Sequence, residues 1–377
     1  MFPRHLALIP ALALATSLVA CGSPQPTGPP PLSEEARAAV TSDAGAPRDE
    51  LARAIDTLFV DPAVGETRAV VVMADGKLAA QRYAAGYDED TRFVSWSMAK
   101  TITATLIGML VADGLLALDE PAPIPRWRRA GDPRGAITLR HLLQMRSGLD
   151  HTEAGPVPVE SSEVRMLFLD GRGDMAKWAE EQPLEAEPGS TFEYSSNTTV
   201  ILADIAARVL TNNSRDPEVR RRAVADYLQA RLFEPLGMTS VVPEFDESGT
   251  LIGGSLMHAT ARDYARFGEF LRTKGSYKGA QLVPRQWVEQ MITPSPRSPN
   301  YGMQTWLNKA VPGAGENPLF PDRGPGSLFA MIGHMGQYAL ISPAQRLTVV
   351  RLGHSDADER RALMPKLADL LAVYPER

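Results

Sequence analysis

Residues 97–112, SMAKTITATLIGMLVA, decide how this chain of 377 residues is interpreted. Beyond Lys100 the stretch is apolar around nearly its whole circumference, and Gly114 follows as a stop signal. A helix without a polar face is buried. Ser97 and Lys100 lie one turn apart on one face, so the hydroxyl and the amine can meet. The pattern predicts a buried helix that opens on a paired serine and lysine.

This pair has a chemical meaning. Burial and the positive end of a helix both lower the pKa of a lysine. We therefore expect Lys100 to be a neutral amine that acts as a base toward Ser97. Ser97 is the only serine with a lysine three residues later. The alternative is structural, with Ser97 as a helix cap and Lys100 as a residue that extends to the surface.

Strand patterns stand at both ends of the folded part. Residues 67–74 and 77–83 form two such patterns around the hairpin signal Asp75-Gly76. Late in the chain come four strand patterns and a closing helix, at 301–307, 328–332, 337–341, 347–352 and 356–373. Between the two ends, from about 138 to 237, the periodicity is mostly helical. This predicts an α+β fold, with an antiparallel sheet built from both chain ends, flanked by helices, and an inserted, mainly helical lobe.

The N-terminus has the pattern of an export signal at residues 1–20. Arg4 and His5 precede an apolar run that is too short to span a bilayer comfortably. The run ends in LVACG at 18–22, which resembles the lipobox of bacterial lipoproteins and implies that Cys21 is lipidated. The alternative is a plain secretory signal with an incidental cysteine. We expect a lipoprotein anchored to a membrane of the bacterial cell envelope and facing the periplasm.

Residues 21–48 are expected to form a linker. Five prolines between 24 and 31 favour an extended polyproline II segment that cannot pack. Ordered structure is expected to begin near Asp49, which gives one domain at 49–377. Cys21 is the only cysteine, so an intramolecular disulfide is excluded.

Composition and missing motifs narrow the function. A formal net charge of -6 with no basic run argues against a nucleic-acid partner. The chain lacks the Gly-x-Ser-x-Gly elbow, the His-Glu-x-x-His zinc motif, the phosphate-binding loop and the dinucleotide glycine fingerprint. Its six histidines do not have zinc-ligand spacing. We expect neither a metal nor an organic cofactor.

Two further segments are candidates for the site. In YSSN at 194–197, the Tyr194 phenol near a neutral lysine would lose its proton more easily and shuttle protons; a half-buried structural tyrosine is the alternative. In HMGQ at 334–337, Gly336 would let substrate approach a strand edge. The backbone N–H groups of Ser97 and Gln337 would then form an oxyanion hole, unless the segment is simply a turn.

The order of these three segments resembles the serine β-lactamase and penicillin-recognising superfamily, in its class C-like branch. The resemblance covers about residues 60–355 and includes LLQMRSGL at 142–149 and PLGM at 235–238. It implies a β-lactamase-like fold with Ser97 as nucleophile and Lys100 and Tyr194 as general base and acid. It also implies that Ser196 or Asn197 orients the substrate and that His334 lines the pocket.

Two departures from the family pattern bear on the substrate. The third residue of the tyrosine motif is Ser196, with Asn197 one place later, so either could hold the substrate amide. His334 stands where penicillin-recognising members have a lysine, and a histidine is neutral or only partly charged near pH 7. A β-lactam or peptide carboxylate would lose a permanent cationic partner. Both departures resemble the carboxylesterase and 6-aminohexanoate-oligomer hydrolase members.

We therefore expect a serine hydrolase that cleaves an ester or amide bond, in a small molecule or peptide, through an acyl-enzyme on Ser97. One alternative is a true β-lactamase or D-Ala-D-Ala carboxypeptidase. The other is a non-catalytic envelope module that binds peptidoglycan peptides.

Overall fold

A computed structural model describes residues 31–155, 157–313 and 317–377. The expected signal peptide, Cys21 and most of the proline-rich segment lie outside the described residues. Within them the strands are β1 (Glu66–Ala74), β2 (Lys77–Tyr83), β3 (Arg92–Val94), β4 (Val242–Pro243), β5 (Met257–Thr260), β6 (Ser276–Tyr277), β7 (Ala280–Gln281), β8 (Trp306–Leu307), β9 (Phe329–Gly333), β10 (Gln337–Ser342) and β11 (Leu347–His354).

The helices are α1 (Glu34–Ala38), α2 (Arg48–Val60), α3 (Ala99–Ala112), α4 (Leu139–Leu143), α5 (Ser162–Phe168), α6 (Met175–Glu180), α7 (Ser196–Leu210), α8 (Pro217–Leu228), α9 (Glu234–Leu236), α10 (Ala261–Arg272), α11 (Arg285–Met291) and α12 (Ala357–Ala372). Most of the expected elements are present to within a few residues. The exception is the strand expected at 301–307. It is reduced to β8, because Gly302 N–H bonds to Thr305 O in a turn before it.

The main sheet joins the two ends of the chain. Its six strands lie in the order β2-β1-β11-β10-β9-β8, and all neighbours pair antiparallel. The central strand β11 is buried along its length up to Gly353. Helices α2 and α12 pack together on one face and contribute to one apolar core. Helices α3, α7 and α10 belong to the core on the other face. The expected α+β architecture is confirmed.

The boundary expected near Asp49 is wrong. The chain is already packed from Leu32, because α1 buries Ala36 and the residues after it reach Val40, which is 3% exposed. Val40 forms a β-bridge to Ala80 on β2. Leu32, Ala36 and Val40 are spaced four residues apart, the repeat of one helical face. The proline content of the preceding segment masked this short apolar pattern.

Helix α3 carries Lys100 and is almost entirely buried. It meets α7 on one side, and Gly108 allows close approach of the Trp287 ring, whose Nε1 donates to Ala104 O at 3.1 Å. Helix α3 begins at Ala99, slightly later than the predicted start at Ser97. A short 3-10 turn at Trp96–Met98 precedes α3 and holds Ser97. Ser97 is therefore fixed between strand β3 and the buried helix.

Candidate active site

The turn that holds Ser97 is anchored at its start. Ser95 accepts a hydrogen bond from Met257 N at 3.1 Å and donates to Ser255 O at 3.1 Å. Trp96 then adopts a left-handed backbone with φ of 43°, a conformation that non-glycine residues seldom take. This conformation lies immediately before the serine at the cleft, as strained backbone often does at functional sites. Ser97 enters the site from a rigid support.

Lys100 lies in the centre of the site and is 1% exposed. Its Nζ donates to Ser97 Oγ at 2.9 Å, to Ser196 Oγ at 2.7 Å and to Gly254 O at 2.9 Å. Three acceptors match the three N–H bonds of an ammonium group. The expected contact between the serine and the lysine is present, and the alternative of a surface lysine is excluded.

The surroundings of Lys100 contradict the expectation of a neutral amine in the resting site, because Nζ has three acceptors in the arrangement of an ammonium group. Burial lowers its pKa and the acidic groups around it, Glu153 among them, raise it, with a net upward shift. Glu153 Oε1 lies 3.5 Å from Lys100 Nζ. Glu153 and Glu163 are distant from Lys100 in the sequence, so the local pattern around residue 100 indicates burial and the helix end but not these two acids.

Tyr194 joins the site through an aromatic cluster. Its ring packs against Trp306 and Tyr301 at centroid distances of 5.2 and 5.8 Å. Lys100 Nζ lies 4.8 Å from its ring centroid. Its phenol interacts with both Ser97 and Lys100, yet burial raises its pKa above the usual value. The expectation that this tyrosine loses its proton more easily is therefore wrong, and it is a protonated phenol at rest.

The two candidates of the tyrosine motif lie in different surroundings. Ser196 begins α7 and bonds to Lys100 through its hydroxyl. Asn197 is fully buried and points away from the lysine, with its Nδ2 donating to Ser162 O at 3.3 Å. Adjacent positions at the start of a helix face directions about 100° apart. Ser196 is the member that faces the site.

Two acids that the sequence analysis missed complete the site. Glu153 accepts from Ser196 twice, from its N–H at 2.5 Å and from its hydroxyl at 2.7 Å. Glu163 Oε1 lies 3.3 Å from the same hydroxyl. Burial and the neighbouring Glu153 raise the pKa of Glu163 to about 7. Both acids lie in or after the loop that follows SGL at 147–149, and no spacing relative to Ser97 marks them.

The segment HMGQ at 334–337 enters the site differently from the expectation. His334 lines the cleft and packs edge-on against Trp96 at 5.4 Å. Burial and the charge of Arg360 lower its pKa. This direction agrees with the expectation that His334 is neutral or only partly charged near pH 7. Gly336 faces the interior instead, since a Cβ there would lie 2.7 Å from Arg351 Nη1. Gln337 is paired with Gly333 in the β9–β10 ladder.

The expected roles of Gly336 and Gln337 at the cleft are therefore wrong. The close approach occurs at Gly333, where a Cβ would lie 2.4 Å from Ser95 O. Ile332 and Gly333 line the cleft along with His334. Strand β8 pairs with β9 only at Phe329 and Ala330. The edge of β9 from Ile332 onward is consequently not covered by that strand.

A cleft of about 560 Å³ opens over Ser97. Much of its wall is aromatic or aliphatic, and its polar groups include Glu153, Glu163 and Arg360. Among the residues that the structure describes, no cluster of three or more His, Cys, Asp or Glu could hold a metal ion. No helix in the described part of the chain is long and apolar enough to cross a membrane.

The loop that brings Glu153 to the site is fixed by a buried histidine. His151 Nδ1 lies 3.2 Å from Thr198 Oγ1 on α7, and its Nε2 lies 3.1 Å from Ala179 O on α6. Burial lowers the pKa of His151 to about 4. The ring is therefore neutral at physiological pH and connects the loop to two helices.

Comparison with known proteins decides the family. The profile of the beta-lactamase family matches residues 60–373. The chain belongs to the beta-lactamase family. It is 27% identical over 234 residues to the 6-aminohexanoate-dimer hydrolase of Paenarthrobacter ureafaciens, covering 60% of this chain and 57% of that protein.

A second relative and a solved structure are consistent with this membership. Esterase EstB of Burkholderia gladioli is 31% identical over 212 residues, which is 50% of each chain. The chain thus matches 57% of the length of the first of these curated relatives and 50% of the length of the second. The structure of a family VIII carboxylesterase aligns with a TM-score of 0.63 at 15% identity, covering 89% of this chain and 97% of that one. That likeness confirms the fold, which the family match identifies as β-lactamase-like.

The histidine under the Glu153 loop predicts an acid-sensitive fold. The unfolded chain takes up a proton on His151 below about pH 6.5, whereas the folded chain resists it down to about 4. Stability is therefore lost as the pH falls through this window, by up to roughly 3 kcal/mol from this residue. Urea unfolding at several pH values should show the advantage of the wild type over His151→Gln shrinking by that amount. An advantage that stays constant with pH would contradict the assignment.

Proposed function

We propose that this beta-lactamase family member is a serine hydrolase that cleaves an ester or amide bond through an acyl-enzyme on Ser97. The observation that carries the proposal is the 2.9 Å contact between Ser97 Oγ and the buried Lys100 Nζ, at the base of an open cleft. The hydrolase names of the two curated relatives support the same reaction class.

The reaction begins with attack of Ser97 Oγ on the substrate carbonyl carbon. Lys100 lies where it can receive the serine proton, and the Tyr194 phenol interacts with both residues, where it can hand a proton to the leaving group. Water then hydrolyses the acyl-enzyme with the same groups acting in reverse. Because Lys100 is an ammonium at rest, it must release one proton before it can accept that of Ser97.

The oxyanion that forms on the carbonyl needs backbone donors. We assign the N–H of Ser97 and, in place of Gln337, the N–H of Ile332. Leu328 O accepts from Asn308 N on the β8 side. Because backbone groups alternate along a strand, Ile332 directs its N–H to the same side, beyond the residues that β8 pairs with.

We further propose an uncharged, largely apolar ester or linear amide as substrate. Trp96, Trp306 and Phe168 line the cleft, and Phe168 is 50% exposed at the surface. Such a wall favours an aliphatic or aromatic acyl group. A β-lactam or a D-Ala peptide is the second candidate, favoured by Arg360, which lines the same cleft and could pair with a substrate carboxylate.

Replacement of the nucleophile tests the reaction. Ser97→Ala should lower the hydrolysis of p-nitrophenyl butyrate by about 1000-fold or more, because the covalent step is lost. A fluorophosphonate probe should label the wild type on Ser97 and leave the variant unlabelled, as shown by peptide mass spectrometry. Wild-type turnover in the variant would contradict the proposal. A folded wild type that no acylating probe labels, but that binds muropeptides, would favour the non-catalytic module.

The two substrate classes separate in one comparison. Because His334 is neutral where a lysine would be charged, the carboxylate of nitrocefin lacks a permanent cationic partner. We therefore expect kcat/KM for nitrocefin to be about 100-fold or more below that for p-nitrophenyl butyrate. Faster hydrolysis of nitrocefin than of the ester would instead make the chain a β-lactamase.

We also propose that the chain is exported and anchored through Cys21, on the strength of the LVACG segment at 18–22. In bacteria fed an alkyne analogue of palmitate, the full chain should become labelled. Cys21→Ser should lose the label, while Ser97→Ala should keep it. Labelling that survives Cys21→Ser would contradict the anchor without affecting the hydrolase assignment.

A further inference from the structure

A continuous hydrogen-bonded path connects the nucleophile to a carboxylate. It runs from Ser97 Oγ to Lys100 Nζ over 2.9 Å, on to Ser196 Oγ over 2.7 Å, and from there to Glu153 Oε1 over a further 2.7 Å. The Ser196 hydroxyl accepts from the ammonium and donates to the carboxylate, so it is oriented to pass a proton in that direction. The path lies at the base of the cleft, with Lys100 almost wholly excluded from solvent.

We propose that Glu153 accepts the proton whose removal converts Lys100 from an ammonium into the base of the reaction. The proton passes from Lys100 to Glu153 through the Ser196 hydroxyl. The inference rests on the proposed serine hydrolase function and deepens it. It gives the missing step, because an ammonium with all three N–H bonds engaged has no lone pair to offer Ser97.

The proton transfers balance. Ser196 gives its hydroxyl proton to Glu153 Oε1 and takes one from Lys100 Nζ, which leaves a neutral carboxyl and a neutral amine. Rotation about the Cε–Nζ bond turns the lone pair toward Ser97. As the bond between Ser97 Oγ and the carbonyl carbon forms, the O–H bond breaks and its proton goes to Lys100. Tyr194 then gives its phenol proton to the leaving group as the bond between that group and the carbonyl carbon breaks, and it takes the proton of Lys100 in exchange.

The cycle then returns to its starting state. Water gives a proton to Lys100 as it attacks the acyl-enzyme, and Ser97 takes that proton as it departs. The Glu153 proton passes back through Ser196 to Lys100. No oxidant, metal or further reactant is consumed, and the resting pair of ammonium and carboxylate is restored.

Geometry favours Glu153 over the second acid. Glu153 receives both the N–H and the hydroxyl of Ser196, and it lies 3.5 Å from Lys100 Nζ. Glu163 makes one longer contact, of 3.3 Å, with that hydroxyl. The other titratable groups that interact with this cluster are Tyr194, Tyr301 and His334. None of these three lies between Ser196 and the carboxylate in the path.

The relay predicts a specific pH profile. In the wild type, the proton of Lys100 can pass to Glu153 within the site during the reaction, so formation of the base does not depend on removal of the proton by solvent, and activity extends to the acidic side of neutrality. Without the carboxylate, Lys100 is a base only once solvent has removed its proton. The acid limb of kcat/KM should then move to higher pH, whereas a purely structural loss lowers the rate by one factor at every pH.

The test measures kcat/KM for p-nitrophenyl butyrate between about pH 5 and 10, with Ser97→Ala as the blank for spontaneous hydrolysis. Glu153→Gln should be slower by about 100-fold near neutrality and recover to within about tenfold of the wild type at the alkaline end. Glu153→Asp should keep the acid limb of the wild type at a lower rate. Glu160→Gln is the matched control, since it removes one exposed carboxylate from the same loop, and should match the wild type.

Two results would overturn the inference while the hydrolase function stands. One is a Glu153→Gln profile that matches the wild type, and the other is a profile lowered by the same factor at every pH. If circular dichroism shows that Glu153→Gln does not fold, Ser196→Ala decides, since removal of the bridging hydroxyl should give the same alkaline shift and its absence would overturn the relay. Undiminished turnover in Ser97→Ala would instead remove the proposed function and the relay with it.

Discussion

A buried ammonium group holds this site together. Lys100 Nζ bonds to Ser97, Ser196 and Gly254, which belong to the turn before α3, the start of α7 and the segment before β5. A charge in such a place is costly unless it is fully hydrogen-bonded and faces an opposite charge. The three acceptors and Glu153 meet both conditions. The lysine that the chemistry needs therefore also fixes three distant segments relative to one another.

The sheet supplies the other half of the site. Strand β9 ends beside the turn of Ser97, and Gly333 allows the two backbones to meet. Behind the strand, the buried Arg351 donates to Gly336 O at 2.8 Å and to Ser355 Oγ at 2.9 Å. This cation holds the hairpin that carries His334. One glycine therefore brings the strand edge to the cleft, and the other leaves space for the arginine that supports it.

Local patterns in the sequence predicted many of the helices and strands of the fold and the contact between Ser97 and Lys100. The apolar circumference of residues 101–111 predicted the burial of α3, and the Ser97–Lys100 spacing predicted their contact. The hairpin at Asp75-Gly76 and the strands at both chain ends also follow from local patterns. The short helix before Asp49 also follows a local rule, since Ser33 Oγ accepts from Ala36 N as an N-cap. There the proline-rich context concealed the signal.

What the sequence could not supply depends on contacts between distant segments. Glu153 lies beside Lys100 and Glu163 beside Ser196, and the loop that carries Glu153 is tied to α6 and α7 through His151. The protonation state of the lysine therefore does not follow from the local sequence. The choice between Ser196 and Asn197 depends on the direction in which the first turn of α7 faces. Gly333 lies at the cleft in place of the predicted Gly336 because of the strand register and the position of Arg351.

Nitrogen-15 NMR of the lysine side chains measures the protonation state of Lys100 directly. The chain has only seven lysines, so the Nζ resonance can be assigned by comparison with Lys100→Arg. In the resting protein at neutral pH, we expect the chemical shift of an ammonium nitrogen for Lys100. The shift of a neutral amine at that pH would show that the site does not contain a buried ammonium group.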